Sequence, residues 1–247
     1  MPDPAMTLCS ILGRLVDDHG RIAVPGLLAE VEPPAFDIPK LPCFDESALA
    51  ASARLVEGAS LWGEENYSPC ARMWYRPALV VTVLEGRPLA LAAAAYIEKT
   101  VARVGLRTVP GMDGERAGRT LVDFLEAQPA RGCSVTAKVI RHFCWWRVDP
   151  ADPTIAAAGR ALAAGFGGEI AFVGIGGSIG MLEPLSKRLG GAPFAIVGVE
   201  DPGSAAHAEN EGLLVEEYRR MVLSLVFMLA ELSKLPSLVA LEMNLFL

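Results

Sequence analysis

The chain is 247 residues long, 52% hydrophobic and 21% charged, a balance that supports a packed core and excludes an intrinsically disordered protein. Its 29 acidic residues outnumber its 22 Lys and Arg, for a net charge of −7. With no basic stripe, that balance argues against a nucleic-acid binder and against docking on anionic membranes.

The spacing of Leu8, Ile11, Leu12 and Leu15 predicts a helix from Pro4 to Val16, with Asp3 as its cap and Pro4 in its first turn. No basic region precedes it, so it makes a poor secretion signal. His19-Gly20 breaks it. Residues 23–42 are proline-rich and read as an extended connector. Ser47 to Val56 reads as a helix and Gly58 to Arg76 as an irregular segment. The β-branched run Ala78 to Leu84 is a strand, and the alternation from Thr100 to Val109 is a second. The alanine-rich stretch Leu89 to Tyr96 between them carries no decisive signal. A helix from Gly114 to Gln128, capped by Asp113, and a third strand from Ser134 to Phe143 complete a small α+β layer, an antiparallel sheet with helices on one face.

The pattern changes after Trp145-Trp146. Asp152-Pro153 opens a helix to Phe166. Glu169 to Val173 is a short apolar strand, and Gly176-Gly177-Ser178 leads into a helix to Leu189. Phe194 to Val199 is another apolar strand, and a long helix runs from Val215 to Ser233. Alternating strands and helices imply a parallel sheet with covered faces, an α/β arrangement. The expected division is therefore residues 1–147 and 148–247. Two short strands make a poor sheet by themselves, so the second part reads as an incomplete half. Its longest apolar helix stretch, Met221 to Ala230, is far short of the ~20 residues of a membrane span. The five cysteines, Cys9, Cys43, Cys70, Cys133 and Cys144, are odd in number and lack CxxC spacing, which favours a reduced, cytoplasmic setting over a disulfide framework.

The loop Asp201 to Gly212 (DPGSAAHAENEG) follows an apolar strand and precedes a helix, where α/β sheets place ligands. Its His207 is a candidate metal ligand, although a surface histidine in a polar loop would look the same. The segment Gly174 to Gly180 (GIGGSIG) lets backbone approach a ligand, and amides at a helix start suit an anion; a plain tight turn is the alternative. Arg107, at a strand end, has the fork geometry to clamp a carboxylate, or is a solvated charge. His142 reads as a packing residue and His19 as exposed. Glu64-Glu65 imitates a catalytic pair but has no histidine beside it. Glu216-Glu217 suits the start of a helix.

These segments occur in one order, and in that order the chain resembles the aminoacylase/carnosinase-type dinuclear-zinc metallopeptidases, a family that includes acetylornithine deacetylase, succinyl-diaminopimelate desuccinylase and glutamate-releasing carboxypeptidase. The carnosinase-like dipeptidase branch is the most similar. PAMTLCSILGRLVDDHGRIAVPG, RPALVVTVLEG and VGLRTVPGMDGERAGRTLVDFL resemble the family's lid, or dimerisation, domain. GGSIG with DPGSAAHAENEGL resembles the end of its catalytic domain. The resemblance implies that Arg107 binds the substrate carboxylate, that Gly177 and Ser178 contact substrate, and that His207 binds a zinc ion. It implies hydrolysis of a peptide or amide bond next to a free carboxylate, in a dipeptide or acylated amino acid. The family's other metal ligands and its Glu-Glu base pair precede the lid, and the sequence departs from the family at RPLALAAAAYIEKT, Ile175, Gly180 and the apolar tail Leu238 to Leu247. The expectation is a truncated member, inactive alone and not holding zinc tightly, whose partners are a second copy through the lid or a missing amino-terminal segment. The alternative is a non-catalytic dimerisation module, and a third reading is an unrelated anion-binding α/β protein.

Overall fold

The structure, a computed structural model, describes residues 1–33, 45–91, 95–177, 179–201 and 203–235. Helix α1 spans Pro4–Leu12; the Asp3 carboxylate accepts the Met6 N–H at 3.1 Å and Pro4 fills the first position, where its missing donor costs nothing. The helix stops earlier than its apolar spacing suggests. Val16 instead bridges Ile22 across a tight loop, with Gly20 in the left-handed region at φ 74°.

Helix α2 covers Glu46–Ser52 behind an Asp45 cap. Helix α3, Pro69–Tyr75, lies inside the stretch expected to be irregular. Its start follows the usual rule: the Ser68 hydroxyl accepts the Ala71 N–H and Pro69 follows at once. Strand β1, Ala78–Glu85, pairs antiparallel with β2, Val101–Arg107, placing Ala78 opposite Arg107 and Glu85 opposite Val101. A register shift between Val81 and Val83 leaves Thr82 out of the pairing, and its hydroxyl donates to the Arg103 carbonyl at 3.2 Å. Such a bulge bends the strand and raises its twist.

Helix α4, Gly114–Glu126, is capped by Asp113. Leu79, Val104 and Leu106, on one face of the hairpin, meet Leu12 of α1 and Leu121 of α4 in a core centred on Leu15, Ile22, Val24, Leu27, Val109 and Met112. Both helices therefore cover the same face, an α+β arrangement. Val101, Arg103 and Arg107 stand exposed on the strand's alternate positions, as a pleated strand requires.

Helix α5, Pro153–Phe166, takes its cap from Asp152, whose carboxylate accepts the N–H groups of Thr154 and Ile155. Helix α6 is Leu182–Arg188 and α7 is Val215–Leu232. The inner face of α7 lies on α5: Met221 and Ser224 are buried, the Ser224 hydroxyl donates to the Arg220 carbonyl at 2.8 Å, and Arg160 pairs with Glu231 at 2.8 Å. Trp146 meets Phe194 edge-on at 5.8 Å.

The segments Ser134–Phe143, Glu169–Val173 and Phe194–Val199, expected as strands, carry no ladder pairing; β1–β2 is the only sheet among the described residues. The first two lie on helices, Val139 against Gly118 of α4 and Ile170 against Gly159 of α5. Each has a helix on one side and no ladder partner among the described residues. No helix among the described residues is long and apolar enough to cross a membrane, and the apolar tail lies outside them.

Candidate functional site

One extended open cleft of about 2070 Å³ is lined by residues from both faces of the β1–β2 hairpin, Val80 and Arg103 as well as Leu79 and Leu106, and by the glycine-rich segment after residue 173. Arg107 ends β2, opposite Ala78, and lines the cleft with Arg103, Val80 and Gly177. His142 lines it too and is exposed, so it is not the packing residue its neighbourhood of aromatics suggested. Ser178 lies outside the described residues.

The turn around Gly177 is not the start of a helix. Helix α6 begins at Leu182, and its cap position, Met181, makes no side-chain hydrogen bond. The expected anion-binding amides of a first helical turn are therefore not placed at Gly177. The turn is bracketed instead by two aromatic rings, Trp74 over Gly174 and Phe143 over Gly180.

His207 stands apart from that cleft, exposed at the tip of its own loop. The loop closes on Ser204, which is 5% exposed. The Ser204 hydroxyl accepts the Asp201 N–H at 3.0 Å, its carbonyl accepts the Gly212 N–H at 3.0 Å, and the Asp201 carboxylate accepts the Gly203 N–H at 2.6 Å. Ala205, His207 and Asn210 all have left-handed backbone, at φ 55°, 62° and 60°. Such conformations cost non-glycine residues energy and cluster where structure serves function. The His207 N–H donates to the Glu211 carboxylate at 3.0 Å, which helps hold the tip.

Glu64 has a structural partner. The Arg76 guanidinium grips its carboxylate with two hydrogen bonds of 2.7 and 2.8 Å and stacks 4.7 Å above the Tyr67 ring. That carboxylate, more than any other group, holds the Arg76 pKa above its ordinary value. Cys9, Cys133 and Cys144 form no disulfide among the described residues, and Cys43 lies outside them.

No protein-family model matches the chain. It is 26% identical over 217 residues to the cysteinylglycine-S-conjugate dipeptidase of Corynebacterium striatum, an alignment that takes in 86% of this chain and 46% of that protein. It is also 26% identical over 225 residues to the Cys-Gly metallodipeptidase DUG1 of Saccharomyces cerevisiae, covering 87% of this chain and 46% of that one. The solved structure of the yeast di-peptidase Dug1p superposes with a TM-score of 0.76 at 23% identity, over 95% of this chain and 50% of the other. Human carnosine dipeptidase 1 superposes with a TM-score of 0.70 at 21% identity, over 94% and 50%. The chain is related to the metallodipeptidases. It spans about half the length of the curated relatives it matches.

A metal centre of the dipeptidase type needs several donors around each ion. Among the described residues no three His, Cys, Asp or Glu side chains gather to hold one. These residues do not fit an assembled metal site, and no hydrolytic step follows from them. The sequence pointed to Arg107, Gly177 and His207, and the structure brings the first two to one cleft. It missed Trp74, Phe143 and Ser204. Ser204 had a signal, a serine after Asp201 in a turn-forming stretch; the two rings had none, because their partners are remote in sequence.

Proposed function

We propose that this chain is the substrate-holding, carboxyl-terminal part of a metallodipeptidase, and that hydrolysis requires residues it does not itself supply. Residues 1–147 act as the lid and residues 148–247 as the end of the catalytic domain. Arg107 binds the free carboxylate of a small peptide or acylated amino acid through its guanidinium fork, Gly177 and Ser178 contact the substrate backbone, and His207 donates one zinc ligand. The observation carrying this reading is the likeness to dipeptidases over 86% of the chain, set against the lack, among the described residues, of any group of three side chains that could hold a metal ion.

The test is to purify the 247-residue chain, measure its zinc content and assay Cys-Gly hydrolysis, alone and with the amino-terminal half of a relative co-expressed. The expected result is no stoichiometric zinc and no turnover alone, with both appearing on complementation and lost in His207→Ala. Full occupancy and turnover by the lone chain would refute it.

A second reading, a non-catalytic dimerisation module, is favoured by one feature. Helix α7 exposes Val215, Tyr218, Val222, Leu225 and Leu229 at alternating three- and four-residue steps, the spacing of a helix-packing seam. Light scattering discriminates: this reading requires a stable homodimer that no complementing half disrupts.

A further inference from the structure

The glycine-rich segment is held at both ends by rings from the first half of the chain. A methyl group on Gly174 would stand 2.7 Å from Trp74 Cδ1 and Cδ2. One on Gly180 would stand 3.0 Å from Phe143 Cγ and nearer still to the ring edge. A Cβ at that distance forces the ring or the backbone to shift; Trp74 and both glycines are half-buried and Phe143 is exposed. Neither glycine has positive φ, so both are required for space and not for an unusual backbone.

The rings arrive on different supports. Trp74 sits in the last turn of α3, where Cys70, Ala71 and Tyr75 are buried; burial also raises the Tyr75 pKa. The Met73 carbonyl lies 3.7 Å from where a side chain of Gly176 would begin. Phe143 carries the Arg141 guanidinium 5.7 Å above its ring, and its carbonyl lies 3.3 Å from where a Gly114 side chain would begin, at the start of α4.

We propose that Trp74 and Phe143 are positioning residues that pack on Gly174 and Gly180 and thereby hold Gly177 in the cleft that Arg107 also lines. A run with Gly174, Gly176, Gly177 and Gly180 has wide backbone freedom, and ordering it is costly. Two rigid rings, one at each end, reduce that freedom before any ligand arrives. That the turn contacts substrate rests on the metallodipeptidase reading; the clamp formed by the two rings does not.

The experiment is a pair of double-mutant cycles on the full chain, read by hydrogen exchange of the amides of residues 174–177. Trp74→Ala speeds that exchange on the order of tenfold, and Trp74→Phe restores protection. Gly174→Ala does the same in the native background but adds nothing once Trp74→Ala has vacated the space. Gly180→Ala and Phe143→Ala couple in the same way. If Trp74→Ala does not fold, Trp74→Leu with and without Gly174→Ala completes the cycle. Strictly additive effects within both pairs overturn the clamp. Cys-Gly titrated into the chain is expected to shift the Gly177 amide resonance, less in Trp74→Ala than in Trp74→Phe. Coupling in both cycles with no Cys-Gly shift at Gly177 supports the clamp and overturns the substrate-contact reading.

Discussion

At the scale of the residue, aspartates facing backbone N–H groups organise much of the chain. Asp113 is held below its ordinary pKa chiefly by the Arg116 N–H, Asp45 by the Ala48 N–H and Asp17 by the Arg21 N–H. A carboxylate whose folded pKa is depressed contributes stability above its unfolded pKa and loses it as pH falls through the folded value. The urea midpoint is therefore expected to hold steady from neutral pH to about 5 as far as these groups go, and to fall below about pH 4. Asp113→Ala should flatten that acid limb. Glu64 makes a different prediction: Glu64→Gln keeps the shape but loses one charge of a largely buried pair. It is expected to cost about 2 kcal/mol by chemical denaturation, since hydrogen bonds between charged groups are the stronger kind.

At the scale of the element, α4 shows why the two faces of the hairpin differ. Leu121 is 8% exposed and packs with Val104 and Leu106 across the sheet, while Arg103 and Arg107 point the other way. Leu121→Ala removes the keystone of that layer and leaves a cavity. It is expected to cost about 3 kcal/mol of unfolding free energy, while leaving Arg103 and Arg107 on the alternate positions of β2 unchanged. Loss of carboxylate binding in that variant beyond its loss of folded protein would show that the two faces are not independent. Asp152 is the corresponding feature of α5, and replacing it with Ala should cost about 1 kcal/mol in the same assay.

At the scale of the whole molecule, the described residues leave a broad surface of large hydrophobic side chains uncovered. Much of what is exposed is apolar, including Phe172, Val173, Ile196 and Val197 in the unpaired segments and the outer stripe of α7. A surface of that kind marks an interface. The chain alone is expected to bind a hydrophobic dye strongly. Val222→Glu with Leu225→Glu should reduce that binding while each moves stability by no more than about 0.5 kcal/mol. Unchanged dye binding would show that the stripe is covered in solution.

Read by itself, the sequence determined what local chemistry determines. Aspartate caps placed α1, α4 and α5, a β-branched run placed β1, alternation placed β2, and the resemblance carried by Arg107, the glycine turn and His207 in that order pointed to metallodipeptidases. Those signals span a few residues and survive without a partner. The tertiary structure alone decided the rest. Val16 leaves α1 because Ile22 pairs with it, and Gly174 and Gly180 face rings distant in the chain. Glu169–Val173 and Phe194–Val199 have strand sequences but no ladder partner among the described residues. A strand is completed by its neighbour, and a close approach by its opposite surface, so neither can be read from one stretch of chain.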